Sequence, residues 1–316
     1  MFTRPRSLIA TGALLGIGAW FAVPAAVAAS PVAPTPEAAS ANWAGYVANA
    51  TGSSQFSRIS GSWVQPSANT SAGDGYSAFW VGLGGAGQSQ SQSLEQVGTQ
   101  ANVVGGQTVY YAWYELLPAA PVKLSMPIHP GDHISASVSV NGTNVTISLS
   151  DQTTGSSYNN TFQMSNPDTS SAEWIAEAPS TASGDGSLQP LPLADFGTVG
   201  FSNATATAGG HTGSISDSSW SDQAVQLSGS STSGAQPSTL SSDGSSFSVS
   251  WQSANTPASV STGGYGGYGD GGGYGYGGYG PGAYGGGGYG GYGGYGGYGG
   301  YGGYGGYGPA AYAYGF

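Results

Sequence analysis

The chain has 316 residues, room for one large domain or two ordinary ones, with 59 glycines, 6% charged residues and no cysteine. Only 4 basic residues stand against 15 acidic ones, which excludes a basic nucleic-acid-binding surface. Without cysteine there are no disulfides, no thiolate catalysis and no cysteine zinc sites, and 3 scattered histidines make no His-rich metal site, so no metal or cofactor is expected.

In chain order, the first segment is a secretory signal. Arg4 and Arg6 precede an apolar run from Leu8 to Val23, and Ala25-Ala-Val-Ala-Ala29 supplies the small residues of a cleavage site. Residues 1–28 are therefore expected to be removed. No later apolar run reaches the roughly 20 residues of a membrane span, so a secreted protein is expected. Cleavage leaves Arg58 and Lys123 against 15 acidic residues, a formal charge of −13. Below about pH 4 most ordinary carboxylates bind protons and that charge fades. A chain with few ion pairs also has few to lose on acidification, so the composition suits an acidic exterior. Residues 29–41, with Pro31, Pro34 and Pro36, read as a short linker or remnant propeptide.

From 42 to 253 the chain is rich in Val, Thr, Ser, Trp and Tyr and has almost no run that favours a long helix. Strands are expected at Ser57–Val64, Ala78–Leu83 and Thr108–Glu115. The clearest pair is Ile134–Val140 with Val145–Leu149, where apolar and polar residues alternate on both sides of Asn141-Gly-Thr-Asn144: a hairpin with one wet face. Further strands are expected at Ala172–Glu177, Thr198–Phe201 and Ser246–Trp251. Many short strands separated by turn formers predict an all-β, antiparallel β-sandwich or jelly roll.

The composition changes again towards the end. Residues 263–316 hold 31 Gly and 15 Tyr, with a Gly-Gly-Tyr period from Gly290 to Tyr307 and one charge, Asp270. Glycine is costly to order and a single large side-chain type cannot interdigitate into a core, so residues 254–316 are expected to form a disordered tail. Its tyrosines offer stacking contacts for self-association or for a cell envelope.

Residues that could carry chemistry are few. There is no Gly-x-Ser-x-Gly, no aspartic-protease Asp-Thr-Gly or Asp-Ser-Gly pair, and no triad context around His129, His133 or His211. Acid–base work falls to carboxylates and amides. Glu173 and Glu177 lie in Ser171-Ala-Glu-Trp-Ile-Ala-Glu177; on a strand, Glu173, Ile175 and Glu177 share one face and Trp174 takes the other. A polar outer face is an equally good account of the pair by pattern alone.

Taken together, six blocks in order resemble one family, the glutamic peptidases (eqolisins), typified by fungal acid endopeptidases. They are Asn42-Trp-Ala-Gly45, Ser77-Ala-Phe-Trp-Val-Gly-Leu83, Leu94-Glu-Gln-Val-Gly98, Tyr110-Tyr-Ala-Trp-Tyr-Glu115, Ala172-Glu-Trp-Ile-Ala-Glu177 and Ala194-Asp-Phe-Gly-Thr-Val199. The resemblance implies two roughly seven-stranded antiparallel sheets in a jelly-roll-like sandwich with a concave active face. It implies catalytic roles for Gln96 and Glu177, and a peptide-binding cleft lined by Trp80, Trp113, Tyr114 and Glu115. The chain departs from the family in having Gly84 where the family has an Asp, in lacking its cysteines and long propeptide, and in adding the tail.

The chemistry that these roles imply needs neither metal nor covalent intermediate. Glu177 as carboxylate takes a proton from a water that attacks the peptide carbonyl. The Gln96 amide donates to the oxyanion, and Glu177 passes its proton to the leaving nitrogen. Both side chains are expected to face an open cleft. Two rivals belong to other classes: a carbohydrate-binding or glycoside-cleaving jelly roll using Glu173 and Glu177, and a non-enzymatic envelope protein acting through its tail. A strand offset of four residues spans about 13 Å, beyond the roughly 5–9.5 Å of glycosidase carboxylate pairs.

Overall fold

The computed structural model describes residues 37–86, 93–182, 188–228 and 233–253. The expected signal peptide, most of the linker and the tail at 254–316 lie outside the described residues.

Turn formers break the described chain into eighteen strands. The first nine are β1 (Glu37–Ser40), β2 (Trp43–Ala50), β3 (Phe56–Val64), β4 (Ala78–Gly84), β5 (Leu94–Val104), β6 (Gln107–Leu116), β7 (Val122–Lys123), β8 (His133–Asn141) and β9 (Asn144–Asp151). The rest are β10 (Ser157–Gln163), β11 (Ser171–Glu177), β12 (Ser180–Ala182), β13 (Leu188–Pro190), β14 (Thr198–Ala208), β15 (His211–Ser214), β16 (Trp220–Leu227), β17 (Ser233–Pro237) and β18 (Phe247–Ser253). Among the described residues the only helical turn is a 3₁₀ turn at Thr70–Ala72.

Hydrogen bonding runs continuously in the order β10-β9-β8-β3-β14-β18-β17-β16-β2-β11-β4-β5-β6-β7. The β17–β16 link is a single pairing, Leu227 with Ala235, and seven strands lie on each side of it. The two halves fold face to face, β3, β8, β9 and β14 packing on β4, β5 and β11. This is the antiparallel sandwich that the sequence predicts.

The hairpin forms as read. Asn141 pairs with Asn144 and Gly142 sits at φ 60°, leaving Gly142-Thr143 as its two-residue loop. Its alternation buries Ile134, Ala136 and Val138 on β8 and Val145, Ile147 and Leu149 on β9. These meet Phe79, Val81, Leu83, Val97 and Trp174 of the other layer. Two indoles stitch the layers: Trp63 Nε1 donates to Thr99 Oγ1 at 3.0 Å, and Trp174 Nε1 to the Ser60 carbonyl at 2.9 Å. Each buries a large ring while keeping its one N–H paired.

One boundary moves. Glu37–Ser40, read as linker, is a strand parallel to Ala224–Leu227. The Ser40 hydroxyl accepts from the Asn42 and Trp43 amides, which turns the chain into β2.

Strands β4, β5 and β11 are buried on both faces. One face is the sandwich core. The other carries a second apolar cluster: Trp43, Val47, Ala78, Trp80, Leu94, Tyr111, Trp113, Ile175 and Val225. That second face holds the site.

Candidate active site

Strand register writes this face as three parallel lines across β2, β11, β4, β5 and β6. The first is Trp43, Glu177, Ala78, Gln100, Tyr111. The second is Gly45, Ile175, Trp80, Gly98, Trp113. The third is Val47, Glu173, Gly82, Gln96, Glu115. Alternation then fixes the faces: Trp174 enters the sandwich core and Ile175 the second cluster, as the strand reading of this segment requires.

Glu177 is anchored at both oxygens. Asn42 Nδ2 donates to Oε1 at 3.0 Å and Trp80 Nε1 to Oε2 at 2.7 Å. The Trp80 ring also packs over Gly82, where a Cβ would lie 3.0 Å from its Cζ3 and 3.1 Å from Gln96 Cβ. Trp80 therefore spans the diagonal from Glu177 to Gln96. Gly98 beneath it is obligatory, because a Cβ there would meet the Phe79 carbonyl at 2.2 Å and Trp80 Cβ at 2.6 Å. On the far side Gln96 Nε2 donates to Glu115 Oε2 at 2.6 Å, and Gln96 Oε1 is buried without a partner.

Electrostatics link these groups. Burial pushes the Glu177 carboxyl up to about 8; the Trp80 N–H pulls it down and the charge of Glu115 raises it again. Glu115, bonded to Gln96, is thus close enough to act on Glu177. The structure brings Glu177, Trp80, Gln96, Glu115 and Trp113 onto one face.

Tyr114 does not belong there. It falls on the opposite face, where its ring stacks on Tyr158 at 5.7 Å and meets Phe162 at 4.9 Å. Alternation along β6 sends Trp113 and Glu115 to the site and Tyr114 to the other side. The expected open cleft is also corrected: Gln96 is 1% exposed and Glu177 4%. Trp80 packs close to both polar groups.

Glu173 shares the face but has different neighbours. Burial raises it well above the carboxylate range, with the nearby Ser171 hydroxyl opposing and the charges of Asp168 and Glu95 adding. Both its oxygens are buried without a hydrogen-bond partner. Glu95 lies on the core side of the same sheet and is raised to about 8, chiefly by burial. Asp168 packs directly against Gly84, where a Cβ would lie 2.5 Å from Asp168 Cβ. Asp168 accepts from the Ser170 amide at 3.0 Å and the Gly85 amide at 3.4 Å.

The sequence reading gave no site role to Asn42, Gln100 or Tyr111, although Asn42 and Tyr111 lie inside two of the blocks that carry the resemblance. Only the register shows that Gln100 stands in line with Glu177.

The match to known proteins covers this same stretch. The Peptidase A4 family model fits residues 41–251. The chain belongs to the Peptidase A4 family. Aspergillopepsin-2 of Aspergillus niger is 32% identical over 212 residues, covering 60% of this chain and 72% of that protein. Two crystal structures of scytalido-glutamic peptidase bound to transition-state analogues superpose with TM-scores of 0.54 and 0.55 at 24% and 25% identity. Each covers 67% of this chain and 98% of the other. As a Peptidase A4 member the protein is a glutamic-type peptidase, a hydrolase of polypeptides. No helix among its described residues is long and apolar enough to cross a membrane.

Proposed function

We propose that the protein is a secreted acid endopeptidase whose working pair is Glu177 and Gln96. The observation that carries this reading is the Glu177 carboxyl, held at both oxygens by Trp80 and Asn42 on the face where Gln96 is clamped to Glu115. Trp80, Trp113 and Glu115 border the path of the substrate.

The buried carboxyl changes the starting state. Read from sequence, Glu177 begins ionised. With its pKa raised to about 8, it holds a proton throughout the acidic range. The reaction then opens with Glu177 giving that proton to the scissile carbonyl oxygen as water attacks the carbon. The carboxylate so formed takes a proton from the attacking water, which leaves a neutral gem-diol and Glu177 protonated again. In the second step Glu177 protonates the nitrogen, the C–N bond breaks, and the carboxylate recovers a proton from the departing acid. The Gln96 amide donates to the oxygen that carries the developing charge. One carboxyl serves as acid and base in turn, and the sequence requires a pH at which it is protonated.

Glu173 and Glu177 make a poor glycosidase pair, because an offset of four residues along β11 spans about 13 Å, beyond the roughly 5–9.5 Å of such carboxylate pairs. The test is digestion of an unfolded protein at about pH 3, below the ordinary carboxylate range. Wild type should release peptides, and Glu177→Gln should not. Activity should resist pepstatin, thiol reagents, serine-directed phosphonates and chelators; abolition by EDTA would overturn the reading.

A further inference from the structure

The line that contains Glu177 holds a polar group that the Glu177–Gln96 pair leaves unused. Gln100 stands in register with Glu177 two strands away, with only Ala78 between them. All three share one face, and two strand spacings put the flanking backbones about 10 Å apart. A peptide carbonyl entering over the Ala78 methyl group would lie between these two long side chains. Gln96 lies on the longer diagonal.

The orientation of the Gln100 amide follows from a chain of hydrogen bonds. The Ser77 amide donates to Asn102 Oδ1 at 3.2 Å, which identifies the Asn102 oxygen. Asn102 Nδ2 is then a donor, and it gives its proton to Gln100 Oε1 at 2.8 Å. The Tyr111 hydroxyl donates to the same oxygen at 2.6 Å. A flipped Gln100 would set its own N–H groups against the Asn102 N–H, so one arrangement satisfies the chain. Lys123 Nζ lies 4.8 Å from the centroid of the Tyr111 ring and holds it in place. Gln100 is 1% exposed, and among the described residues nothing accepts from its two N–H groups. It is a buried amide whose oxygen is fixed by two donors, and no hydrogen bond from its Nε2 is made among the described residues.

We infer that Gln100 is a further oxyanion donor of this peptidase, binding the scissile carbonyl oxygen over Ala78 from the side opposite Glu177. The inference rests on the peptidase reading of Glu177. A donor whose orientation is fixed before the substrate arrives stabilises developing charge without reorganising.

The experiment uses the full-length secreted protein and a fluorogenic peptide at acidic pH. Gln100→Leu should lower kcat by about 100-fold, as loss of one oxyanion donor does, with KM within about threefold. It should weaken binding of a tetrahedral transition-state analogue by the same factor as kcat/KM and leave ground-state peptide affinity unchanged. Tyr111→Phe removes one hydroxyl, leaves the ring in place, and should lower kcat by about 3- to 10-fold, the value of one neutral hydrogen bond. Should Gln100→Leu not fold, Tyr111→Phe decides the matter. A kcat within threefold of wild type for Gln100→Leu, or for Tyr111→Phe when it alone is testable, overturns the inference, as does a loss that lies wholly in KM. Glu177→Gln and Gln96→Ala are measured alongside. If these retain activity, the reading of the pair fails. If they are inactive while Gln100→Leu turns over normally, only the role of Gln100 falls.

Discussion

Glu177 shows how much one carboxyl depends on its surroundings. Two N–H donors favour its anion, yet burial outweighs them and raises its pKa to about 8. Glu177→Gln and Gln96→Ala should each lower turnover by at least about 100-fold, since each removes a transition-state role. The protein should stay folded in both, as shown by circular dichroism. Glu173→Gln should be milder, because Glu173 answers to Asp168 and Glu95; a dead Glu173 variant beside an active Glu177 variant would exchange their roles. The sign of the pH effect follows from the raised pKa. Glu177 is protonated at acidic pH and loses its proton as pH rises towards about 8, so kcat should fall on the alkaline side. Water entering with substrate weakens the burial effect and moves that fall towards neutrality. A kcat that climbs steadily from pH 4 to pH 8 would contradict the protonated start.

Among the elements, β4, β5, β6 and β11 build the site because their alternation is unbroken. A one-residue slip in any of them would send its polar groups into the sandwich core. Gly98 on β5 is a sharp test, because its missing Cβ is what lets Trp80 lie close to the strand. Gly98→Val should cost enough packing to lower the thermal midpoint by several degrees or prevent folding, with activity lost alongside. A stable Gly98→Val protein with full turnover would show that Trp80 is not seated as described. Tyr114 makes the opposite case. Its ring packs against Tyr158 and Phe162 on the other face, so Tyr114→Phe should leave kcat and KM within about twofold while Tyr114→Ala lowers stability by about 3–5 kcal/mol if packing is fully lost.

At the scale of the whole molecule, three glutamates carry raised pKa values inside one sheet: Glu95, Glu173 and Glu177. In the unfolded chain each returns towards 4.5. The folded state therefore binds more protons between that value and about 8, and stability falls as pH rises through this window. Denaturant midpoints should drop between pH 4.5 and pH 8, and Glu95→Gln should flatten the drop; midpoints that rise over this range would refute the argument. Strand β18 closes at Ser253 between β14 and β17. A chain stopped near Thr256 should fold and cleave peptides at a rate within a few-fold of full length, while binding less to cells, polymer surfaces or itself. An unfolded or inactive truncated protein would tie the tail to the catalytic domain.

Sequence alone settled the fold class, because turn formers and period-two alternation are local signals that survive without tertiary context, as in the Ile134–Leu149 hairpin. It also marked Gln96, Glu177, Trp80, Trp113 and Glu115, since six ordered blocks resemble one family. It could not find β10, whose Ser-Tyr-Asn-Asn-Thr-Phe-Gln lies on an exposed sheet edge and carries almost no apolar alternation. It set Tyr114 in the cleft because adjacency in sequence does not say which face a side chain takes. It gave no role to Gln100, because a lone polar residue in a strand gains meaning only from its cross-strand neighbours, nor to Asp168, a loop residue that only the fold brings beside Gly84. The raised pKa of Glu177 was likewise invisible, for a pKa is set by burial and by charges brought from other strands. Register and burial arise from long-range pairing, and only the tertiary structure decides them.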